Sequence, residues 1–277
     1  MSAEPVKRDP YAALRFRDFR LLFTGRFVAQ IGEMMVSVAV GWELYERTGD
    51  SFALGLVGLV QVLPVILLSV PGGYIADRYN RKWITLISQL VLVACSLALM
   101  SISLTNGSLP VLYGVLAIIG AARAFNNPAE SALTPQTVPP EYYFSAATWS
   151  SSIWQLSAIL GPAVGGVIIA ATNSAAWVYL LNALAGMVLV VTLLLLRSKQ
   201  RDYADAGETP WQSIRAGIAF VKNKQVILGS ITLDMFAVLF GGATFLLPVF
   251  AKDILNTDAT GLGILRAAPS VGALLMA

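Results

Sequence analysis

Long apolar runs decide what this chain can fold into. From Phe19 onward the sequence alternates stretches rich in Leu, Val, Ala and Ile with short polar segments. A helix of about 20 apolar residues, rising 1.5 Å per residue, crosses a hydrocarbon core of roughly 30 Å. The runs predict membrane spans over 19–45, 52–74, 83–104, 109–133, 145–171, 175–196, 225–250 and 260–277. Only 13% of the 277 residues are charged and 56% are hydrophobic, against a charge content of roughly 25% in a soluble domain. The expected class is an all-α integral membrane protein. The fourth span is the least clear, because its clean apolar run, 109–122, is too short to cross alone. Parity extends it through Arg123 to about Leu133; otherwise the basic segment 197–224 would lie on the opposite side from the basic N-terminus.

The positive charges are segregated. Lys7, Arg8, Arg15, Arg17, Arg20 and Arg26 precede or open the first span, and Arg197, Lys199, Arg201, Arg215, Lys222 and Lys224 share one later loop. Basic residues flanking spans mark the cytoplasmic side, so orientation explains them better than nucleic-acid binding does. Residues 1–18 then form a cytoplasmic tail, 19–196 an N-terminal bundle, 197–224 a cytoplasmic linker, and 225–277 the start of a second bundle. Pro210-Trp211 is expected to open an interfacial helix in that linker. The first nineteen residues have no apolar core, so no cleavable signal peptide is expected. The chain has no histidine, and its one cysteine, Cys95, lies in an apolar run. No metal cluster, nucleophile–base pair or glycine-rich phosphate loop is visible, so neither a cofactor nor an enzyme is expected.

Ionisable residues inside spans cost about 2.5–3.5 kcal/mol on insertion scales, so they pair or line water. Glu33, Arg123, Glu130, Asp234 and Arg266 are such residues. Gln30, Glu33, Ser37 and Gly41 fall on one face of the first span; Arg123, Asn127, Glu130 and Thr134 repeat that spacing in the fourth; Ser230, Asp234, Gly241 and Thr244 repeat it in the seventh. Such stripes line a polar cavity or bond one helix to another. Trp149, Ser152 and Gln155 on the fifth span are further candidates for contact with an amphipathic solute, with Gln30 and Arg266.

Between the second and third spans lies Gly72-Gly73-Tyr74-Ile75-Ala76-Asp77-Arg78-Tyr79-Asn80-Arg81-Lys82. Gly73, Asp77, Arg78, Arg81 and Lys82 in this spacing resemble the loop between helices 2 and 3 of the major facilitator superfamily, G-x-x-x-D-R-x-G-R-R/K. Asn80 stands where that family has Gly; Asn tolerates positive φ best among the other residues, so the turn is expected to survive. Gly161-Pro162-Ala163-Val164-Gly165-Gly166 resembles the G-P-x-x-G-G segment of the family's exporters. Six spans, a basic loop and two more spans resemble the layout of its two six-helix halves, related as parallel repeats, cut short after helix 8. Gly55-Leu56, Gln61 and Pro64 are echoed by Gly261-Leu262, Arg266 and Pro269. The run from Gly41-Trp42 to Ala76-Asp77-Arg78, with Asp234 through Pro248-Val249-Phe250-Ala251, is similar to bacterial drug and siderophore (enterobactin-type) exporters.

The resemblance implies the major facilitator fold, with spans 1, 4 and 7 around a central cavity. It implies that Arg123 occupies the position of the mid-helix-4 arginine associated with proton coupling, although Asn126-Asn127-Pro128 replaces the family's later glycines. A buried Arg stays protonated and holds a nearby carboxylate ionised; losing that contact admits a proton. Glu33, Glu130 and Asp234 are the candidate partners. Glu130 lies seven residues from Arg123, roughly 10 Å along one helix, so Glu33 at matching depth is the better one. Asp77 is expected to hold the cytoplasmic gate. The implied function is a proton-coupled exporter of small amphipathic molecules working by alternating access, monomeric at full length, in the cell membrane with a cytoplasmic N-terminus. An importer of sugars or metabolites, a lipid-handling protein of the same fold, and a non-transporting sensor remain open. The chain is expected to continue past Ala277, and residues 1–277 alone are expected not to transport.

Overall fold

The computed structural model describes residues 11–197, 222–230, 232–233 and 242–276. Its long helices are α1 (Arg17–Thr48), α2 (Ser51–Arg78), α3 (Arg81–Leu104), α4 (Leu109–Leu133), α5 (Tyr143–Thr172), α6 (Ala176–Leu195) and α7 (Ala259–Met276). Among the described residues, these seven are long and apolar enough to cross a membrane. They correspond to the first six expected spans and the eighth. The fourth reaches Leu133, as parity requires. The seventh expected span lies partly outside the described residues, and its end differs: Gly242–Leu246 is 3-10 helix, and a π-helical turn carries the chain through Phe250–Ile254. The expected interfacial helix after Pro210 lies outside the described residues.

Helix ends sort onto two faces. At one end, hereafter the turn end, four left-handed residues reverse the chain: Gly49 (φ 61°), Asn106 (49°), Asn173 (50°) and Asn256 (48°). Positive φ is accessible to Gly and, among other residues, best to Asn. Two of the helices that follow are capped by side chains: Asp50 accepts from the Phe52 amide at 2.8 Å, and Asp258 from the Thr260 amide at 3.0 Å. The opposite end, the basic end, carries Arg17, Arg20, Arg78, Arg81, Lys82 and Arg197.

In the packing, α1 lies against α5 and α6, α3 between α4 and α6, and α2 against α4; α7 joins the bundle through α5. The core at the turn end is built on fully buried Val38, Leu44, Leu99, Val178 and Tyr179. There Tyr179 donates to Glu43 Oε2 at 2.7 Å, and Arg47 pairs with Glu43 while donating to the Gly107 and Ile102 carbonyls. A buried carboxylate is thus matched by a cation that also satisfies the end of α3. Leu59, Leu63, Ile66, Leu67 and Val70 form an exposed apolar face on α2, as a surface that meets lipid or another helix requires.

Two expectations about the loop motif are corrected. The helix does not stop near Tyr74; it runs to Arg78, so only Tyr79 and Asn80 connect α2 to α3. Gly72 does not break it because its bare Cα packs on α4, where a Cβ would strike the Ala124 carbonyl oxygen. Nor does Asn80 adopt positive φ. It lies at φ −63°, ψ 111°, and its side chain caps α3 by accepting from the Lys82 amide at 3.0 Å, a role Asn fills well and Gly cannot fill with a side chain.

Candidate transport cavity

A cavity of about 230 Å³ lies inside the bundle. Its walls are apolar where Val36, Val40, Leu54, Val57 and Leu116 face it, and polar where Glu33, Gln61, Arg123 and Arg266 do. Glu33 Oε2 on α1 lies 3.6 Å from Arg123 Nη2 on α4, and Arg123 Nη1 donates to Gln61 Oε1 on α2 at 3.3 Å. The arginine therefore bridges three helices, while its Nε is buried without a partner. Towards the basic end a second cavity of about 490 Å³ is lined by Gln30, Glu33, Arg123, Asn127, Glu130 and Trp154, among others. Glu33 and Arg123 line both.

The stripes read from helical spacing meet here. Gln30, Glu33, Ser37 and Gly41 all line one or both cavities, as do Arg123, Asn127 and Glu130. Thr244 reaches the inner one; Asp234 and Gly241 lie outside the described residues. Glu130 has a partner of its own. Arg26 Nε sits 2.6 Å from Glu130 Oε1, and Asn126 donates to the other carboxylate oxygen at 3.1 Å. Arg26, read from sequence only as a flanking charge, thus enters the polar lining.

Trp149, Ser152 and Gln155 are not lining residues of either cavity. Trp149 meets Phe23 edge-on, with ring centroids 5.4 Å apart, and packs near Tyr11. The Ser152 hydroxyl donates to the Thr148 carbonyl of its own helix at 3.0 Å, and Gln155 donates to the Ser270 carbonyl of α7. Trp154 faces the larger cavity instead. Sequence reading also passed over Gln89, Ser96 and Asn182. They lie on the apolar helices α3 and α6, and Asn182 donates to Ser96 at 2.7 Å.

The motif at the basic end works as a set of helix-end clamps. Arg81 donates to the carbonyl of Ala76 at 3.1 Å and of Ala132 at 3.3 Å, tying the ends of α2 and α4. Lys82 donates to the Leu196 and Leu194 carbonyls at the end of α6. Arg78 stacks 4.6 Å above the Tyr74 ring. Asp77 pairs with Arg81 at 3.6 Å but is 79% exposed. An exposed pair is worth about 0–1 kcal/mol, whereas stripping helix-end carbonyls of a charged donor costs about 1–3 kcal/mol. Asp77→Asn therefore leaves thermal unfolding nearly unchanged, and Arg81→Ala lowers the midpoint clearly. Melting curves followed by tryptophan fluorescence check the contrast. Gly73 has open space where a Cβ would stand.

The Gly161-Pro162-x-x-Gly165-Gly166 segment packs against two helices, α1 and α7. A Cβ on Gly161 would collide with Met34 and the Ile31 carbonyl, and one on Gly165 would crowd Met35, both on α1. One on Gly166 would strike the Ala259 carbonyl on α7, and one on Gly263 the Pro162 carbonyl. Small residues here let α5 approach α1 and α7 to backbone contact.

The sequence model of the transmembrane secretion effector family matches residues 8–277. The chain belongs to that family. It is a multi-pass, all-α membrane protein of the major facilitator fold. Among relatives of this secretion-effector chain, macrolide efflux protein A of Streptococcus pyogenes is 25% identical over 264 residues, covering 93% of this chain and 64% of that protein. The enterobactin exporter EntS of Escherichia coli O1:K1 / APEC is 26% identical over 259 residues, 92% of this chain and 61% of that one. The staphyloferrin A transporter of Staphylococcus aureus (strain NCTC 8325 / PS 47) is 25% identical over 261 residues, 92% and 63%. The chain thus spans somewhat under two thirds of these relatives. Among solved structures it is similar in fold to a POT family transporter crystallised with a thioalcohol-conjugated peptide, with TM-score 0.57 and 16% identity over 86% of this chain and 53% of that one. The named relatives are transporters, not enzymes.

Proposed function

We propose that this chain carries the N-terminal bundle and the beginning of the second bundle of a proton-driven exporter. It moves small amphipathic molecules out across the cell membrane by alternating access, with its N-terminus in the cytoplasm. The observation that carries this reading is the Glu33–Arg123 pair, 3.6 Å apart in a wall shared by two cavities. A carboxylate held by a permanent cation inside a membrane bundle is a proton site whose occupancy follows that contact. The relatives named as a macrolide efflux protein and an enterobactin exporter support export over import, and so does the α5 glycine-proline segment. Asp77, exposed on the basic face, serves as the gate carboxylate that meets the second bundle when that side closes.

Cells overproducing the protein as its gene encodes it should accumulate less of a panel of fluorescent amphiphiles than cells without it. A protonophore should remove the difference. Asp77→Asn should reduce efflux with membrane insertion intact. Efflux indifferent to the protonophore in energised cells removes the proton from the mechanism, and full efflux by Asp77→Asn removes the gate.

A further inference from the structure

The walls of the inner cavity carry more positive than negative charge. Among the described residues, two guanidinium groups, Arg123 and Arg266, and one carboxylate, Glu33, line the inner cavity. Glu33 is already engaged by Arg123. Arg266 enters from α7, with its Nε buried and unbonded. Gly41 makes room for it: a Cβ at that position would stand 3.3 Å from Arg266 Nη2. The neutral polar groups offer little compensation, since Asn182 is committed to Ser96 and Gln61 accepts from Arg123. A guanidinium remains protonated in such a wall and pairs best with a two-oxygen anion that accepts both parallel N–H donors. The walls around it are apolar, through Val36, Leu54 and Leu116, and would cover a hydrophobic body.

We infer that this cavity takes an amphipathic anion, its carboxylate held by Arg266 and its apolar body lying against α1, α2 and α4. The inference rests on the exporter reading and narrows its substrate class. An amphipathic cation would meet the uncompensated charge and be disfavoured.

Binding of three probes with one fluorophore, measured at neutral pH on the encoded protein in nanodiscs, tests it. The probes are dansylglycine, its uncharged methyl ester, and dansylethylenediamine as the cation. Dansylglycine should bind at least tenfold more tightly than the other two. Arg266→Gln should weaken dansylglycine at least tenfold and leave the ester unchanged, while Arg266→Lys, which keeps the charge, should retain most of the preference. Monodisperse elution and unchanged ester binding mark the variants as folded. The inference is overturned if the cation binds as tightly as the anion, if no anion binding is found, or if Arg266→Gln weakens all three probes alike. Anion binding that appears only in Asp234→Asn also overturns it, by assigning Asp234 as the counter-ion of Arg266. Protonophore-sensitive efflux of the cation or ester, without anion binding, leaves the exporter standing and removes only this inference. Anion binding with no efflux of any probe keeps the inference and removes the exporter.

Discussion

Arg123→Ala abolishes export against a gradient when protons are the driving force, while substrate still equilibrates downhill. Arg123 holds Glu33 at 3.6 Å and Gln61 at 3.3 Å, so its removal leaves a carboxylate inside the bundle with no cation. The pair is only half-buried, so losing its cation costs less than the roughly 3–5 kcal/mol of a fully buried pair, and the cheapest escape is for Glu33 to keep its proton throughout the cycle. A site that never releases its proton cannot couple proton movement to substrate movement. At about 1.4 kcal/mol per factor of ten, coupled export should fall at least about tenfold. Arg123→Lys keeps the charge but not the fork that reaches both Glu33 and Gln61, so it retains a fraction of the activity. Glu33→Gln should abolish coupling as well, and the double variant should be no worse than the worse single one, because both remove the same device. Export is measured against internal and external pH for the three variants in proteoliposomes. Losses that simply add would mean that the pair does not act as a unit and that Arg123 serves another carboxylate or the substrate.

Gly166→Ala and Gly263→Ala each reduce export at least tenfold, because they push α5 and α7 apart. At both positions the methyl group would meet a main-chain carbonyl, of Ala259 and Pro162 respectively. Backbone cannot swing aside as a side chain does, so the helices must separate or tilt. Overpacking of this kind costs about 1–3 kcal/mol, concentrated on the contact that joins the second bundle to the first. Gly165→Ala should be milder, since its Cβ would lie 3.1–3.2 Å from Met35 atoms, a crowding that a small shift relieves. Gly114→Ala on α4, with open space around it, should be neutral or slightly stabilising through helix propensity. The graded series, read as both thermal stability and export, separates loss of this one helix contact from general damage. Equal effects at all four positions would reject it.

Seven of the eight expected spans were legible because a bilayer imposes one length on every crossing helix. The fourth was recovered only by counting crossings, since Arg123, Asn127 and Glu130 interrupt its apolar run. The Glu33–Arg123 pair was legible from depth and helical phase. Its companions were not. Arg26 looked like one of several flanking charges, and nothing local marks it as the partner of Glu130, 104 positions away in a different helix. Gln89, Ser96 and Asn182 sit singly in apolar helices, where one amide or hydroxyl is as easily a packing bond as a cavity wall. Trp149 misled in the other direction: an aromatic near polar residues suggested a solute contact, whereas Phe23 and Tyr11 occupy its faces. The end of α2 was misplaced because the charges from Asp77 onward were read as loop, whereas the helix carries them to Arg78. Gly72 serves a close approach to Ala124, which depends on a neighbour no local rule reveals.

The left-handed reversals at Gly49, Asn106, Asn173 and Asn256 bear on how the molecule meets its surroundings. Between consecutive long helices the first three leave only Gly49 and Asp50, residues 105–108, and residues 173–175 outside helix. Whichever compartment this end faces, these turns offer it hardly any chain for an antibody or a protease to grip. An epitope tag placed in one of these turns must replace a residue held at positive φ or force apart a pair of helices joined almost directly. Labels meant to report sidedness belong at the opposite end, where 134–142 already forms a longer connection.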